Sequence, residues 1–298
     1  MASTAYLAAE GFLDPLREEL GCAVVAEHGR LLVTAEAPRP AAWAQNVWLD
    51  VREIAIDSIA DGARKLRALG RDWALLSVLH HRRAALLQEQ LPRFRRVPHA
   101  FPSALPAASP GAWTLLTPGT ILAAARCTSP FPHGELEFVE DKSGPPNRAY
   151  LKLWEALTLL GARPGAGERC LDLGASPGGW SWALARLGAQ VTAVDKAPLD
   201  PAVAALPNVA VRIESAFGLS PEPVDWLFCD VACYPLRLLA LVERWLDHAR
   251  WMVCTLKFQG DTDHDAARAF AQIPGSRLLH LHHNKHELTW LRPAPGGA

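Results

Sequence analysis

From Pro146 onward the chain repeats one pattern: a short, largely apolar run, a stretch of helical character, then another run. The runs are Cys170–Leu173, Val191–Val194, Val209–Ile213, Trp226–Cys229, Trp251–Leu256, Leu278–Leu281 and Leu288–Leu291. A strand that is apolar on both faces has to be covered on both, and the intervening helices supply that cover. The pattern therefore predicts an α/β fold built on a mostly parallel sheet. Only the last two runs are joined directly, through His282 to Glu287, so they read as a hairpin that turns the final strand antiparallel.

The 298 residues, half of them apolar and a fifth charged, suffice for two modest domains or one large one, which excludes disorder and a small stapled scaffold. Between His99 and Pro146 prolines and glycines gather, so this stretch reads as turns and short strands, with Leu115 to Ala125 and Leu136 to Val139 as candidate strands. It divides the chain into a smaller α+β region over 1–135 and the α/β domain over 136–298. The six cysteines are scattered and several sit in apolar runs, as reduced buried thiols do, so neither a disulfide framework nor a zinc site is expected. No run of about 18 uncharged apolar residues occurs and Met1 to Leu13 lacks a basic leader. The expectation is a soluble cytoplasmic protein without a membrane partner.

The formal charge of -1 gives no chain-wide positive field, so any attraction to nucleic acid must be local. Residues 61 to 100 hold nine Arg or Lys against three Asp or Glu, whereas residues 1 to 60 hold four against nine. The candidate RNA contacts are Arg82, Arg83, Arg93, Arg95 and Arg96, with Trp73 and Phe94 as stacking surfaces, and Arg148 further on. A solvated helix face explains the same charges equally well.

The segment Leu171-Asp172-Leu173-Gly174-Ala175-Ser176-Pro177-Gly178-Gly179-Trp180 runs from a buried strand into a helix. Glycines admit a ligand close to the backbone, and the helix N-terminus offers free N–H groups to an anion. The spacing is not the dinucleotide fingerprint. Asp172 would repel a pyrophosphate but suits an ammonium, and Asp195, at the end of the second strand, is placed for two ribose hydroxyls. S-adenosylmethionine combines carboxylate, ammonium and ribose diol. Glu214, Ser215 and Phe217, at the exit of the third strand, are candidates for its adenine, and Trp180 for its border; Phe217 reads equally as core.

With 24 arginines and only six lysines in the chain, a lysine in an apolar setting calls for a reason. Lys257 ends the fifth strand at the edge where open α/β sheets bind ligands, and unlike arginine a lysine beside a sulfonium can lose its proton and act as a base. Asp230 ends the fourth strand in the same way. Glu287 begins the last strand, and Lys152 lies on a helix starting near Arg148, four residues away and so on one face with it. Two lysines and two carboxylates without evident His or Cys ligands suggest base catalysis on a hydroxyl. Structural ion pairs fit that spacing as well. His280, His282, His283 and His286 look metal-like by number, but strand alternation separates neighbours and no acid or thiol accompanies them, so no metal is expected.

The combination Asn147-Arg148-Ala149-Tyr150-Leu151-Lys152-Leu153, the segment Asp172 to Trp180, then Asp230, Lys257 and Glu287 resembles the FtsJ (RrmJ)-type ribose 2′-O-methyltransferases, and within them the RlmM-like group. The likeness covers about residues 143 to 292, with all four members of the Lys-Asp-Lys-Glu set in order. It implies a Rossmann-like methyltransferase fold, S-adenosylmethionine as cofactor and methylation of a cytidine ribose in 23S rRNA or a precursor ribosomal particle. It also implies an N-terminal RNA-binding region with a THUMP domain. The stretch before Ser143 is short for a complete one, and Trp43 to Trp48 with the basic segment after it reads as a trimmed or divergent version. On this reading Lys257 takes the hydroxyl proton, Asp230 and Glu287 hold Lys257, and Lys152 orients the hydroxyl or a phosphate. The alternatives are another RNA, such as tRNA or a cap, an inactive RNA-binding scaffold, or a small-molecule methyltransferase.

Overall fold

The computed structural model describes residues 3–92 and 97–294. The chain divides into two units, one formed by the residues up to His99 with Leu105–Glu137, the other by Ala100–Ala104 with the chain from Phe138 onward.

The first unit runs β1 (Thr4–Ala8), α1 (Leu13–Leu20), β2 (Val24–His28), β3 (Leu31–Thr34), β4 (Ala44–Leu49), β5 (Arg52–Ala55), α2 (Ile59–Leu69), β6 (Trp73–Leu75), α3 (His81–Gln88), β7 (Gly111–Thr117), β8 (Thr120–Ala124) and β9 (Arg126–Cys127). An antiparallel sheet in the order β2-β3-β1-β4-β9 accompanies a second, β5-β8-β7-β6, in which β6 runs parallel to β7. Leu7, Leu31, Trp48 and Leu122 belong to one core cluster, and Leu66, Trp73, Leu87 and Trp113 to another. Leu115 to Ala125 is not one strand. Pro118 and Gly119 break the run, as such a pair does, and β7 and β8 close as a hairpin at Thr117 and Thr120. Leu136 to Val139 lies outside the strands.

The second unit runs α4 (Tyr150–Leu160), β10 (Arg169–Leu173), α5 (Gly179–Arg186), β11 (Gln190–Asp195), α6 (Pro201–Ala204), β12 (Val209–Ile213), β13 (Val224–Cys229), α7 (Pro235–Trp245), β14 (Ala249–Lys257), α8 (His264–Ala271), β15 (Arg277–Leu279) and β16 (Glu287–Arg292). Its seven strands lie in the order β12-β11-β10-β13-β14-β16-β15, the first five parallel and β16 antiparallel to both neighbours. Six of the apolar runs expected from the sequence lie within these strands; the seventh, Leu278–Leu281, is strand only as far as Leu279, and His280 and Leu281 belong to the turn into β16. Inside, Trp226 stacks on Trp251 with ring centres 4.8 Å apart and on Phe228 at 5.7 Å.

The strand order reverses between β10 and β13, and a crevice opens beyond the carboxyl ends of the strands at such a point. The register brings the polar ends of the runs to that edge: Gly174 N–H donates to Val194 O, Asp230 N–H donates to Leu173 O, and Lys257 lies opposite Glu287. Among the described residues no helix is long and apolar enough to cross a membrane.

Candidate active site

A cleft of about 390 Å³ lies along that edge, within the range typical of small-molecule sites. Gly174, Ser176, Asp195, Glu214, Ser215, Phe217, Asp230 and Lys257 line it, together with Val194, Lys196, Ala216, Val231, Ala232 and Arg237. Gly174 has φ +78°, and a Cβ there would stand 2.7 Å from the backbone nitrogen of Val231, so only glycine lets the loops after β10 and β13 come together. Asp195 ties two turns by accepting from Ser176 N–H at 3.1 Å and Ala197 N–H at 2.9 Å.

Asp172, Pro177, Gly178, Gly179 and Trp180, also expected at the cofactor, are not among the residues that line the cleft. Asp172 is fully buried and accepts from the Ser181 hydroxyl at 2.6 Å, anchoring α5 to β10. Burial, only partly offset by that hydrogen bond, pushes its carboxyl up to about 7, and Oδ1 has no partner. Trp180 is buried too. Its indole N–H donates to Ala149 O at 2.9 Å, and its ring lies beneath the Lys152 ammonium, 5.6 Å from Nζ to the centroid.

The four-residue set converges. Lys152 Nζ donates to Asp230 Oδ1 at 2.8 Å and to Glu287 Oε1 at 3.0 Å. Lys257 Nζ donates to the carbonyl oxygen of Asp230 at 2.5 Å and lies 3.1 Å from its Oδ1. Asp230 thus stands between two ammonium groups. Burial disfavours its charge, but Lys152 and Lys257 prevail and hold the carboxyl below the usual range. Burial likewise opposes the Lys152 charge, and Asp230 with Glu287 overcomes it, holding the ammonium above its ordinary value.

This geometry corrects two expected roles. Glu287 bonds to Lys152, because α4 inserts that lysine between β16 and the end of β13. Lys152 has a side chain only 7% exposed and fully engaged by two carboxylates, so it is not presented to a substrate phosphate; Lys257, at 27%, lines the cleft. Nor do Arg148 and Lys152 share a helix face. The helix begins only at Tyr150, leaving Arg148 exposed and bonded to Glu140 while Lys152 turns inward.

The sequence reading missed Arg237 and Glu155. Arg237 lies in the first turn of α7 and lines the cleft, with its guanidinium carbon 3.8 Å from the centre of the Phe217 ring. Glu155, one turn after Lys152, is buried and accepts from the backbone N–H groups of His282 and His283, at 2.8 and 3.0 Å, and lies 2.6 Å from His283 Nδ1. An acid amid the apolar residues of α4 was the available signal. These contacts and the 3.0 Å approach of His280 Nε2 to Lys285 O place two of the four clustered histidines in local structure.

In the first unit, Arg64 and Lys65 pair with Asp61, Arg67 donates to Gln90 O, and Arg83 donates to Pro118 O. Much of that charge is therefore engaged locally, while Arg82 is exposed on α3. Arg93, Arg95 and Arg96, with Phe94, lie outside the described residues.

A doubly wound seven-stranded sheet with an antiparallel strand inserted between β14 and β15, and a cleft at its reversal point, gives the second unit a Rossmann-like methyltransferase fold. The family described as FtsJ-like methyltransferase matches residues 145–274 of this unit. The ribosomal RNA large subunit methyltransferase M of Halorhodospira halophila (strain DSM 244 / SL1) is 39% identical over 155 residues, covering 48% of this chain and 46% of that protein. The protein of the same name from Thauera aminoaromatica is 34% identical over 166 residues, covering 49% and 46%. This chain thus spans about half the length of the curated relatives it matches. Among solved structures, the fibrillarin pre-rRNA processing protein of Methanococcus jannaschii shares 18% identity over 49% of this chain and 75% of that one, with a TM-score of 0.37. That likeness is too loose to add to the family match.

The cofactor of this domain type is S-adenosylmethionine, and the cleft fits it. Gly174 admits a ligand to the backbone, Asp195 and Glu214 offer acceptors for hydroxyls, and Phe217 supplies an apolar wall. Asp172, with a buried oxygen lacking a partner, is not part of that lining.

Proposed function

We propose that the protein is an S-adenosylmethionine-dependent RNA ribose 2′-O-methyltransferase, acting in the cytoplasm on 23S rRNA or a precursor ribosomal particle. The observation that carries this reading is the assembled set of Lys152, Asp230, Lys257 and Glu287, with Lys257 alone of the two lysines lining the cleft. Bound S-adenosylmethionine supplies an electrophilic methyl group on a sulfonium. Gly174, Ser176, Asp195, Glu214, Ser215 and Phe217 hold it.

Lys257, as the neutral amine left once its own proton has passed to solvent, receives the 2′-hydroxyl proton. Its Nζ has three tetrahedral positions besides the carbon chain, and the carbonyl and carboxylate of Asp230 take two, leaving one for the substrate oxygen. Asp230 then stabilises the ammonium that forms. Lys152 stays charged between its two carboxylates and fixes Asp230, so the base is aimed before substrate arrives, and such prior alignment is a large part of catalysis. Glu287 acts through Lys152 as a positioning residue. The nucleotide enters single-stranded or flipped out, because a ribose oxygen within a packed helix is hard to align. Exposed basic residues of the first unit, Arg82 among them, bind flanking phosphates.

The test is mass-spectrometric mapping of ribose methylation in rRNA from cells lacking the gene, complemented with wild type or Lys257→Ala. One lost 2′-O-methyl group, restored only by wild type, supports the proposal. An unchanged rRNA map, or restoration by the variant, refutes it.

A further inference from the structure

Tyr234 is 66% exposed, whereas the other two tyrosines of the chain, Tyr6 and Tyr150, are each 1% exposed. Among the described residues it is the one exposed side chain of the Phe, Tyr and Trp type, the others being buried or half-buried. It sits on the loop from Asp230 to α7, in which Val231 and Ala232 line the cleft before Tyr234 and Arg237 lines it after. The loop is anchored, since Cys233 and Pro235 on either side are buried and the Tyr234 carbonyl accepts from Arg237 N–H at 3.0 Å and Leu238 N–H at 3.2 Å. The ring is thus displayed from a fixed backbone, at little ordering cost to a ligand that stacks on it.

The second observation concerns Arg237. Its guanidinium stacks 3.8 Å from the Phe217 ring centre and has no carboxylate or hydrogen-bond partner among the described residues. A cation without an acid on a cleft wall is open to an anion. Arg237 and Lys257 both line the cleft. An exposed aromatic beside an unneutralised guanidinium matches the base and phosphate of single-stranded nucleic acid.

We propose that this loop is the nucleotide-receiving rim of the cleft: the Tyr234 ring stacks on an unpaired base and Arg237 meets the phosphate beside it, delivering a ribose to Lys257. The inference rests on the reading of the protein as an RNA methyltransferase and adds the element that selects unpaired RNA.

The test uses the full chain and a short fluorescein-labelled unstructured RNA oligonucleotide, with binding followed by anisotropy. Tyr234→Ala weakens binding on the order of 5- to 100-fold, while Tyr234→Phe, which keeps the ring, stays within about twofold of wild type. Arg237→Gln lowers the slope of log affinity against log salt by about 0.7. Calorimetry shows S-adenosylmethionine affinity unchanged in Tyr234→Ala. Wild-type RNA affinity in that variant overturns the rim alone, and loss of cofactor affinity in step with RNA affinity makes the ring a cofactor wall and overturns it too. Failure of the wild type itself to bind RNA overturns the methyltransferase reading and the rim together.

Discussion

Lys152→Met removes the ammonium that separates two carboxylates and leaves a chain of similar length in its place. Asp230 and Glu287, with side chains 18% and 12% exposed, then face one another with only Lys257 near Asp230. Removing one partner of a buried pair costs about 3–5 kcal/mol, most of it the penalty on the charge left behind. At roughly 2–4 °C per kcal/mol for a domain of this size, the melting temperature near pH 8 should fall by on the order of 10 °C. The pH dependence has a definite sign. In wild type the Asp230 carboxyl is held below its ordinary value, so its contribution is present above the unfolded value and lost as pH falls through the folded one. Lys152 is held above 10.5, so its contribution is present below that value and lost as pH rises through the folded one. The gap between wild type and variant is therefore widest between these limits. It narrows in acid, where the stranded carboxylates of the variant take up a proton. Calorimetric melts at pH 8 and pH 4.5 read this directly. Lys152→Met combined with Glu287→Gln should recover part of the loss, because one of the two stranded charges is gone. A Lys152→Met melting temperature equal to wild type at pH 8, or a gap that does not change with pH, would refute the reasoning.

Lys257→Met should lower the single-turnover rate of methyl transfer by about 10²–10⁴-fold, the usual contribution of a general base, and leave S-adenosylmethionine affinity within about threefold by calorimetry; a wild-type rate contradicts the role. Asp172, raised to about 7 by burial, holds a proton in the folded chain that the unfolded chain releases near 3.8, so stability falls as pH rises between these values. Asp172→Asn should flatten that decline in thermal melts, and an identical slope counts against it. Gly174→Ala should reduce stability and cofactor affinity far more than Gly275→Ala. Both have positive φ, but a Cβ meets Val231 at the first and open space at the second, so equal effects in paired melts and titrations would exclude a close-approach role.

The sheet was legible because its strands are buried on both faces and written as uninterrupted apolar runs, and the direct joining of the last two revealed the antiparallel strand. Lys257 and Asp230 were legible as site candidates because polar residues that end apolar runs emerge at one sheet edge. Their partners were not. Which carboxylate meets which lysine depends on α4 bringing Lys152 between two strands more than 50 residues apart in sequence, and no local pattern encodes that. Asp172 shows the limit from the other side: it belongs to the glycine-rich segment, yet strand alternation turns it into the core and onto Ser181. Arg237 went unread because an arginine in the first turn of an amphipathic helix looks like a solvated face; only the Phe217 ring beneath it marks it as part of the cleft. In the first unit, charge density overstated the free positive surface, since Arg64, Lys65, Arg67 and Arg83 are bonded to nearby acids and carbonyls.

The most direct measurement incubates the purified full chain with isotope-labelled S-adenosylmethionine and unmodified large-subunit rRNA, then digests the product to nucleosides for mass spectrometry. The account expects the label on a ribose 2′-oxygen at a single position with wild type, and transfer slowed by about 10²–10⁴-fold with Lys257→Met although that variant still binds the cofactor. Label on a base, or transfer at the wild-type rate by Lys257→Met, would contradict it.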